Sequence, residues 1–332
     1  MMKKVAVLTS GGDSPAMNAA IRAIVLSCHY HQLQCTGFYH GYNGLINDQH
    51  VDMHQFDINS ALQQGGTILK SARCQAMLTE EGVMQACNTL RKHDIDALIV
   101  IGGDGSLKGL KEIKQHWEKP VIGLPGTIDN DLSGTDSTIG FATAVTTATH
   151  AIDKIRDTAN AFERIFIVEV MGRHSGHIAF NVGIATGAEA IISFENFTPD
   201  QASSKVAEIL KGVEKQKRTH GSFLIVLAEN LWPGGAHALK ASLSEQGQVD
   251  SALCILGHIQ RGGSPVPEDR NLATELGIAS IEAILDGQDN VMIGKLSGTV
   301  VATALEDVIN TPKPVSSHWV KAHQRQLTHY LK

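Results

Sequence analysis

Along the chain, short runs that are apolar at nearly every position alternate with longer stretches in which apolar residues recur every three or four places. The runs are KVAVLT (4–9), ALIVIG (97–102), VIGLP (121–125), RIFIVEVM (164–171), SFLIVLAE (222–229) and ALCILGH (252–258). Continuous rather than alternating apolarity predicts strands covered on both faces, as in a parallel sheet. The intervening periodicity predicts helices, among them 15–31 with Pro15 in its first turn, 79–93 opened by TEE, and 198–217 opened by TPDQ. Repeated β-α-β order gives an α/β fold of largely parallel sheets flanked by helices. At 332 residues the chain exceeds the size at which one core keeps growing, so two lobes are expected. No low-complexity stretch or flexible linker separates them.

Nearly every apolar run leads at once into a polar, glycine-rich cluster. In chain order these are TSGGDSPAMN, GGDGS, PGTIDND, MGRHSGH, Glu229 and GHIQRGGSP. Ligands of open parallel sheets bind at the carboxyl ends of strands, so the clusters are expected to converge on one cleft. The glycines of GGDGS suit close approach of phosphate to a helix N-terminus. Asp104 in their midst would repel phosphate unless a cation lay between, which points to Mg²⁺ and a nucleotide; an ordinary tight turn is the competing reading. PGTIDND sets Thr127, Asp129 and Asp131 at alternating positions. Both aspartates can be metal ligands, one can be a base for a sugar hydroxyl attacking phosphorus, or the stretch can be an Asx-rich cap. Arg73, Arg164, Arg173 and Arg261 lie in or beside the clusters, where a guanidinium fork suits a transferring phosphoryl group. His258 adds a donor for a hydroxyl or phosphate.

Composition narrows the classes. A net charge of −6 argues against nucleic acid as the main partner, so any anionic ligand depends on those local arginines. Five scattered cysteines without CxxC spacing indicate neither a disulfide framework nor a zinc site and fit a reducing, cytoplasmic setting. Most of the sixteen histidines read as solvated, because no HExxH-like pattern occurs. The opening MMKKVAVLTS has only four consecutive apolar residues after its lysines, too few for a secretory core, and no run reaches membrane-spanning length. GGTILKS (65–71) lacks the second glycine of a P-loop, and Lys108 stands where GxGxxG needs its third, so P-loop kinases and Rossmann dehydrogenases are disfavoured.

Taken together and in order, TSGGDSPAMNAAIR, GGT…SAR, IGGDGS, PGTIDND, VMGRHSG and LGHIQRGGSP resemble the bacterial-type ATP-dependent 6-phosphofructokinases from residue 3 to about residue 270. The resemblance implies a nucleotide lobe of 1–139 plus about 257–308 and a sugar-phosphate lobe of 140–256 plus about 309–332. It implies phosphorylation of fructose 6-phosphate on its 1-hydroxyl in glycolysis, with Asp129 as base helped by Thr127, and with Arg73 and Arg173 assisting catalysis. Gly12, Arg73, Cys74, Gly103, Asp104, Gly105 and Ser106 would hold ATP, with Asp104 on Mg²⁺. Thr127, Ile128, Asp129, Met171, Gly172, Arg173, Glu229, His258, Ile259, Gln260 and Arg261 would surround the sugar phosphate, with Arg164 reaching in from a neighbouring subunit of a homotetramer. Glycine at 105 and 126 resembles the ATP-using rather than the pyrophosphate-using branch.

The departures from the family also carry weight. Ala252 stands where a second cross-subunit arginine clamp is usual. Effector binding would fall to Arg22, Arg156, Glu189, Lys217 and Arg218, but Leu26 and Gln55 replace two customary arginines, so regulation by ADP or phosphoenolpyruvate is expected to be muted. Cys74 and Leu78 replace commoner aromatic and basic residues of the nucleotide segment. Ala252 motivates two alternatives, a kinase for another sugar phosphate and a catalytically silent sensor. A kinase resembling the NAD or lipid kinases would share GGDGS but not PGTIDND or GHIQRGGSP.

Overall fold

Successive residues of a strand face opposite ways, so a run apolar at every position stays dry only if helices cover both sides. The computed structural model, which describes residues 2–162, 164–217 and 222–331, meets that condition. On one face Val5, Val7, Ile99 and Ile101 pack with Ile21, Ile24, Ala273 and Ile281. On the other, Ala6, Leu8, Leu98 and Val100 pack with Leu90, Leu107 and Leu110.

The elements run β1 (Lys4–Ser10), α1 (Met17–Tyr30), β2 (Gln34–Phe38), α2 (Tyr42–Ile46), β3 (His50–Asp52), α3 (Glu80–Lys92), β4 (Ala97–Gly102), α4 (Asp104–His116) and β5 (Val121–Pro125). Next come α5 (Phe141–Phe162), β6 (Ile165–Val170), α6 (His177–Ala185), β7 (Ala190–Ile192), α7 (Ala202–Lys217), β8 (Phe223–Ala228), α8 (Gly235–Gly247) and β9 (Ser251–Ile255). The chain ends with α9 (Pro267–Leu285), β10 (Val291–Leu296), β11 (Thr299–Ala304), α10 (Leu305–Asn310) and α11 (Ser317–Leu331). One sheet has the order β11-β10-β5-β4-β1-β2-β3, with only β3 and β11 antiparallel to their neighbours. The other, β7-β8-β6-β9, is wholly parallel. The expected α/β fold of two largely parallel sheets is therefore present.

Two local expectations need correction. Pro15 does not open the first helix, because Ala16 takes a left-handed φ of 69° and α1 begins only at Met17. The apolar run at 252–258 is not covered on both faces: Ala252, Leu253 and Cys254 are only half-buried, and Ile255 is 48% exposed. The other starts follow their caps. Thr79 accepts from the Gly82 N–H at the head of α3, and Thr198 and Gln201 form a capping box in the short turn before α7.

The chain divides into two compact units, Met1–Thr143 with Arg261–Lys313, and Ala144–Gln260 with Pro314–Lys332. The divisions fall a few residues beyond the expected 139, 257 and 308, and side chains explain each one. Buried Asp269 accepts from the N–H groups of Gly140 (2.9 Å) and Thr143 (2.7 Å), which ties the first turn of α5 to the first unit. Arg261 donates to the Asp13 carbonyl at 2.9 Å, and Lys313 donates to Asn130 Oδ1 at 2.8 Å. Among the described residues no helix is long and apolar enough to cross a membrane.

Candidate active site

Because β4 lies between β1 and β5, the loops leaving their carboxyl ends lie side by side in the first unit. Glycine permits the close approach. A Cβ on Gly11, whose φ is +87°, would stand 3.1 Å from Ser106 Oγ, and one on Gly12 would stand 2.8 Å from Arg261 Nη1. Gly103 precedes α4 and lies against Thr127, where a Cβ would sit 3.4 Å from the threonine Cβ. Gly105 differs, since a Cβ there meets nothing within 4 Å and the first turn of α4 borders open space. Tyr42 Oη fixes that turn by donating to the Ser106 carbonyl at 2.6 Å. Asp104, the first residue of α4, pairs with Lys108 Nζ at 2.8 Å.

The segment after β3 joins the same group. Ser71 Oγ donates to the Gly11 carbonyl at 2.8 Å, the Gly11 N–H reaches the Ala72 carbonyl, and Asn43 donates to the Arg73 carbonyl. These bonds hold half-buried Cys74 and exposed Arg73 beside the first glycine loop. Arg261, expected among the sugar residues, borders this loop, with its guanidinium over Gly12.

After β5 the chain buries Thr127 and Asp129, each 7% exposed. Thr127 Oγ1 accepts from the Asp129 N–H at 3.2 Å, and Thr138 closes the loop by donating to the Thr127 carbonyl at 2.6 Å. Ile128 is fully buried, which leaves its backbone as the part available to a ligand. Lys313 has no motif to announce it. Its ammonium donates to Asn130 Oδ1 (2.8 Å) and the Asp136 carbonyl (3.0 Å), and burial holds it down to about 8 despite the nearby Asp136 and Asp131 carboxylates.

The second unit has its own strand-end cluster. After β6, Gly172 adopts a φ of 143° and Arg173 a left-handed φ of 57°, unusual for a side chain of that size. Glu229, following β8, clamps this turn: Oε1 accepts from the N–H groups of Gly172 (3.1 Å) and Arg173 (2.8 Å). Asn230 adds a bond to the Arg173 carbonyl. The Arg173 side chain itself is exposed, whereas Met171 is buried. Gln260 is fully buried and spends its amide on the backbone, accepting from Met171 N–H and donating to the Gly257 carbonyl, so it acts as a strut. His258 and Ile259 are exposed beside it, and Arg164 is exposed just ahead of β6. Sequence reasoning overlooked Glu169 within β6, whose carboxyl is raised by burial and by the neighbouring Glu229 charge. An acidic residue inside an apolar run was the available signal.

The effector candidates fall in both units. Arg156 and Glu189 bind each other at 3.0 Å, and Arg156 also donates to the Thr186 and Gly187 carbonyls. Arg22 is in the first unit, within reach of Asn59 at 3.4 Å. Lys217 ends α7, and Arg218 lies outside the described residues.

Glycine loops at parallel strand ends, one opening a helix with an aspartate and the next carrying a buried threonine–aspartate pair, define a phosphoryl-transfer class of site. The chain belongs to the phosphofructokinase family, whose sequence profile matches residues 4–284. It is 46% identical to the ATP-dependent 6-phosphofructokinase 1 of Thermus thermophilus over 97% of this chain and 99% of that one. It is 44% identical to the ATP-dependent 6-phosphofructokinase of Clostridioides difficile, over 94% and 95% respectively. The solved phosphofructokinase of Saccharomyces cerevisiae superposes with a TM-score of 0.84 at 35% identity, covering 99% of this chain, which spans only 48% of the yeast one. A pyrophosphate-dependent phosphofructokinase from Marinobacter aquaeolei shares the fold, with a TM-score of 0.83 at 22% identity over 98% of this chain and 91% of that one.

Proposed function

We propose that the protein transfers the γ-phosphoryl group of ATP to the 1-hydroxyl of fructose 6-phosphate. The observation that carries this reading is the abutment of Gly103, at the head of α4, on Thr127, two residues before buried Asp129. It sets an anion-favouring helix terminus next to a carboxylate able to take a proton. The sugar oxygen attacks the γ-phosphorus, the bond to the β–γ bridging oxygen breaks, ADP leaves, and the hydroxyl proton passes to Asp129. Gly12, Gly103, Gly105 and Ser106 admit the phosphates, with Arg73 and Cys74 alongside; Thr127 steadies the base. Ile128, Met171, Gly172, Arg173, Glu229, His258, Ile259, Gln260 and Arg261 serve the sugar phosphate, Gln260 and Glu229 also by bracing the 171–173 turn.

One carboxylate at an open helix terminus fits Mg²⁺, which takes one or two carboxylates and completes its shell with phosphate oxygens and water. Asp104 would hold it, releasing Lys108, and the ion would neutralise charge on the β- and γ-phosphates. A cytoplasmic homotetramer in which Arg164 serves a neighbour's sugar, with little response to ADP or phosphoenolpyruvate, completes the reading. ATP and then pyrophosphate, each offered with a panel of sugar phosphates in a coupled assay, test it. Turnover with ATP and fructose 6-phosphate is expected, and its absence with every acceptor would leave a sensor. Ala252 favours one second reading, a different sugar phosphate as best acceptor, which the same panel reveals.

A further inference from the structure

We propose that Asp48, His50 and His93 form a binding site for a zinc-like divalent transition metal that clamps the edge of the larger sheet. Asp48 Oδ1 lies 3.1 Å from His50 Nδ1 and 2.5 Å from His93 Nε2, and the three ligand atoms all fall within 4.8 Å of one another. Nitrogen and oxygen ligands at about 2.0–2.2 Å from a tetrahedral Zn²⁺ stand roughly 3.3 Å apart, so small side-chain rotations suffice. Two imidazoles and one carboxylate suit Zn²⁺, Co²⁺ or Ni²⁺ and not Mg²⁺ or Ca²⁺, which favour oxygen.

The ligands stand on backbone that is already fixed. Asp48 has a left-handed φ of 59°, and the Gln49 N–H next to it bonds the Gly44 carbonyl at 2.8 Å. His93 caps the C-terminal end of α3, with its N–H on the Thr89 carbonyl. His50 opens β3 directly opposite Phe38 of β2. Phe38, fully buried, backs both imidazoles with ring centroids 6.2 and 6.5 Å away, and the two imidazole centroids are 4.2 Å apart. Lys92 Nζ sits 2.6 Å from the other carboxylate oxygen, Oδ2, where it orients the carboxylate and leaves Oδ1 facing the histidines. The surface position of His50 lets water complete the coordination. An ion here would tie strand β3, which carries only one hydrogen-bonded neighbour, to the end of α3.

Titration of the metal-stripped enzyme with Zn²⁺ alone, followed by calorimetry, tests this. One equivalent is expected to bind wild type and to raise its Tm. His50→Gln and His93→Gln should each weaken binding by more than the roughly 10- to 100-fold seen when only an outer partner of a metal site is lost. The double variant should show no Zn²⁺-dependent Tm shift, while kinase turnover with Mg²⁺ stays at the wild-type level. X-ray absorption of the Zn²⁺-loaded wild type gives a readout that needs no variant, and only nitrogen and oxygen ligands are expected. Sulfur ligation by one of the five cysteines, equal affinity in the variants, or no uptake by wild type would overturn the proposal.

Discussion

At the residue scale, Asp129 bears the sharpest prediction. A carboxylate that accepts a proton in the transition state contributes roughly 10²- to 10⁴-fold, so Asp129→Ser is expected to lower kcat by about 10²-fold or more with little change in KM for the sugar. Steady-state kinetics check this, and an unchanged kcat would remove Asp129 from the mechanism. Lys313 gives a pH prediction. Its ammonium is held at about 8 in the fold against 10.5 when free, so between those values the unfolded chain binds more protons than the folded one. The sign of the linkage is then positive: wild type gains stability as pH rises through that window. Lys313→Met lacks the gain, so the stability gap between the two proteins should shift in favour of wild type from pH 8 to pH 10 in chemical denaturation. Parallel pH profiles would show that the ammonium is solvated. Asp129 stood out in the sequence because PGTIDND is a compact motif at a strand end. Lys313 did not, because its partner Asn130 lies 183 positions away and only tertiary packing joins them.

At the element scale, β1, β4, β5, β6 and β8 were legible because both of their faces had to be apolar. β2, β3, β7, β10 and β11 were not. The β2–β3 pair carries a polar, glycine-containing sequence, and β9 reads as a core strand although it lies at the edge of its sheet. The glycines show the same limit. Gly126 reads as a mark of the nucleotide-using branch, yet a Cβ there would stand 2.7 Å from Ile101 Cγ2, so local packing, which a side chain would force to shift, also favours glycine. Gly105 has open space around it, and the protein's own packing does not explain it. Gly105→Asp should therefore leave stability within about 1 kcal/mol of wild type, because the first turn of a helix tolerates an acidic residue well. Its carboxylate would face the nucleotide phosphates, and like charges brought together cost several kcal/mol, so KM for ATP should rise roughly 10-fold or more. Thermal melts and ATP titrations separate the two effects. An unchanged KM would move the phosphates away from the head of α4.

At the scale of the whole molecule, the departures from family pattern spare the glycine loops and the strand-end turns. The first unit keeps each glycine loop and the buried Thr127–Asp129 pair, and the second keeps the strained 172–173 turn with its Glu229 clamp. Ala252 is the exception. It sits on edge strand β9 in register with Phe166, half-buried, with no group able to donate to a phosphate. A charge-assisted hydrogen bond is worth about 1.5–3 kcal/mol, so lacking one should weaken sugar-phosphate affinity roughly 10- to 150-fold. The 6-phosphate is remote from the transferring group and is held alike in ground and transition states, so the deficit belongs in KM and not in kcat. Ala252→Arg is accordingly expected to lower KM for fructose 6-phosphate and to leave kcat nearly unchanged. Steady-state kinetics on the variant, with the acceptor panel repeated, decide the matter. An unaltered KM would mean that another cation already fills the position. A wild-type preference for a different sugar phosphate that the arginine abolishes would mean that alanine makes room for that substrate.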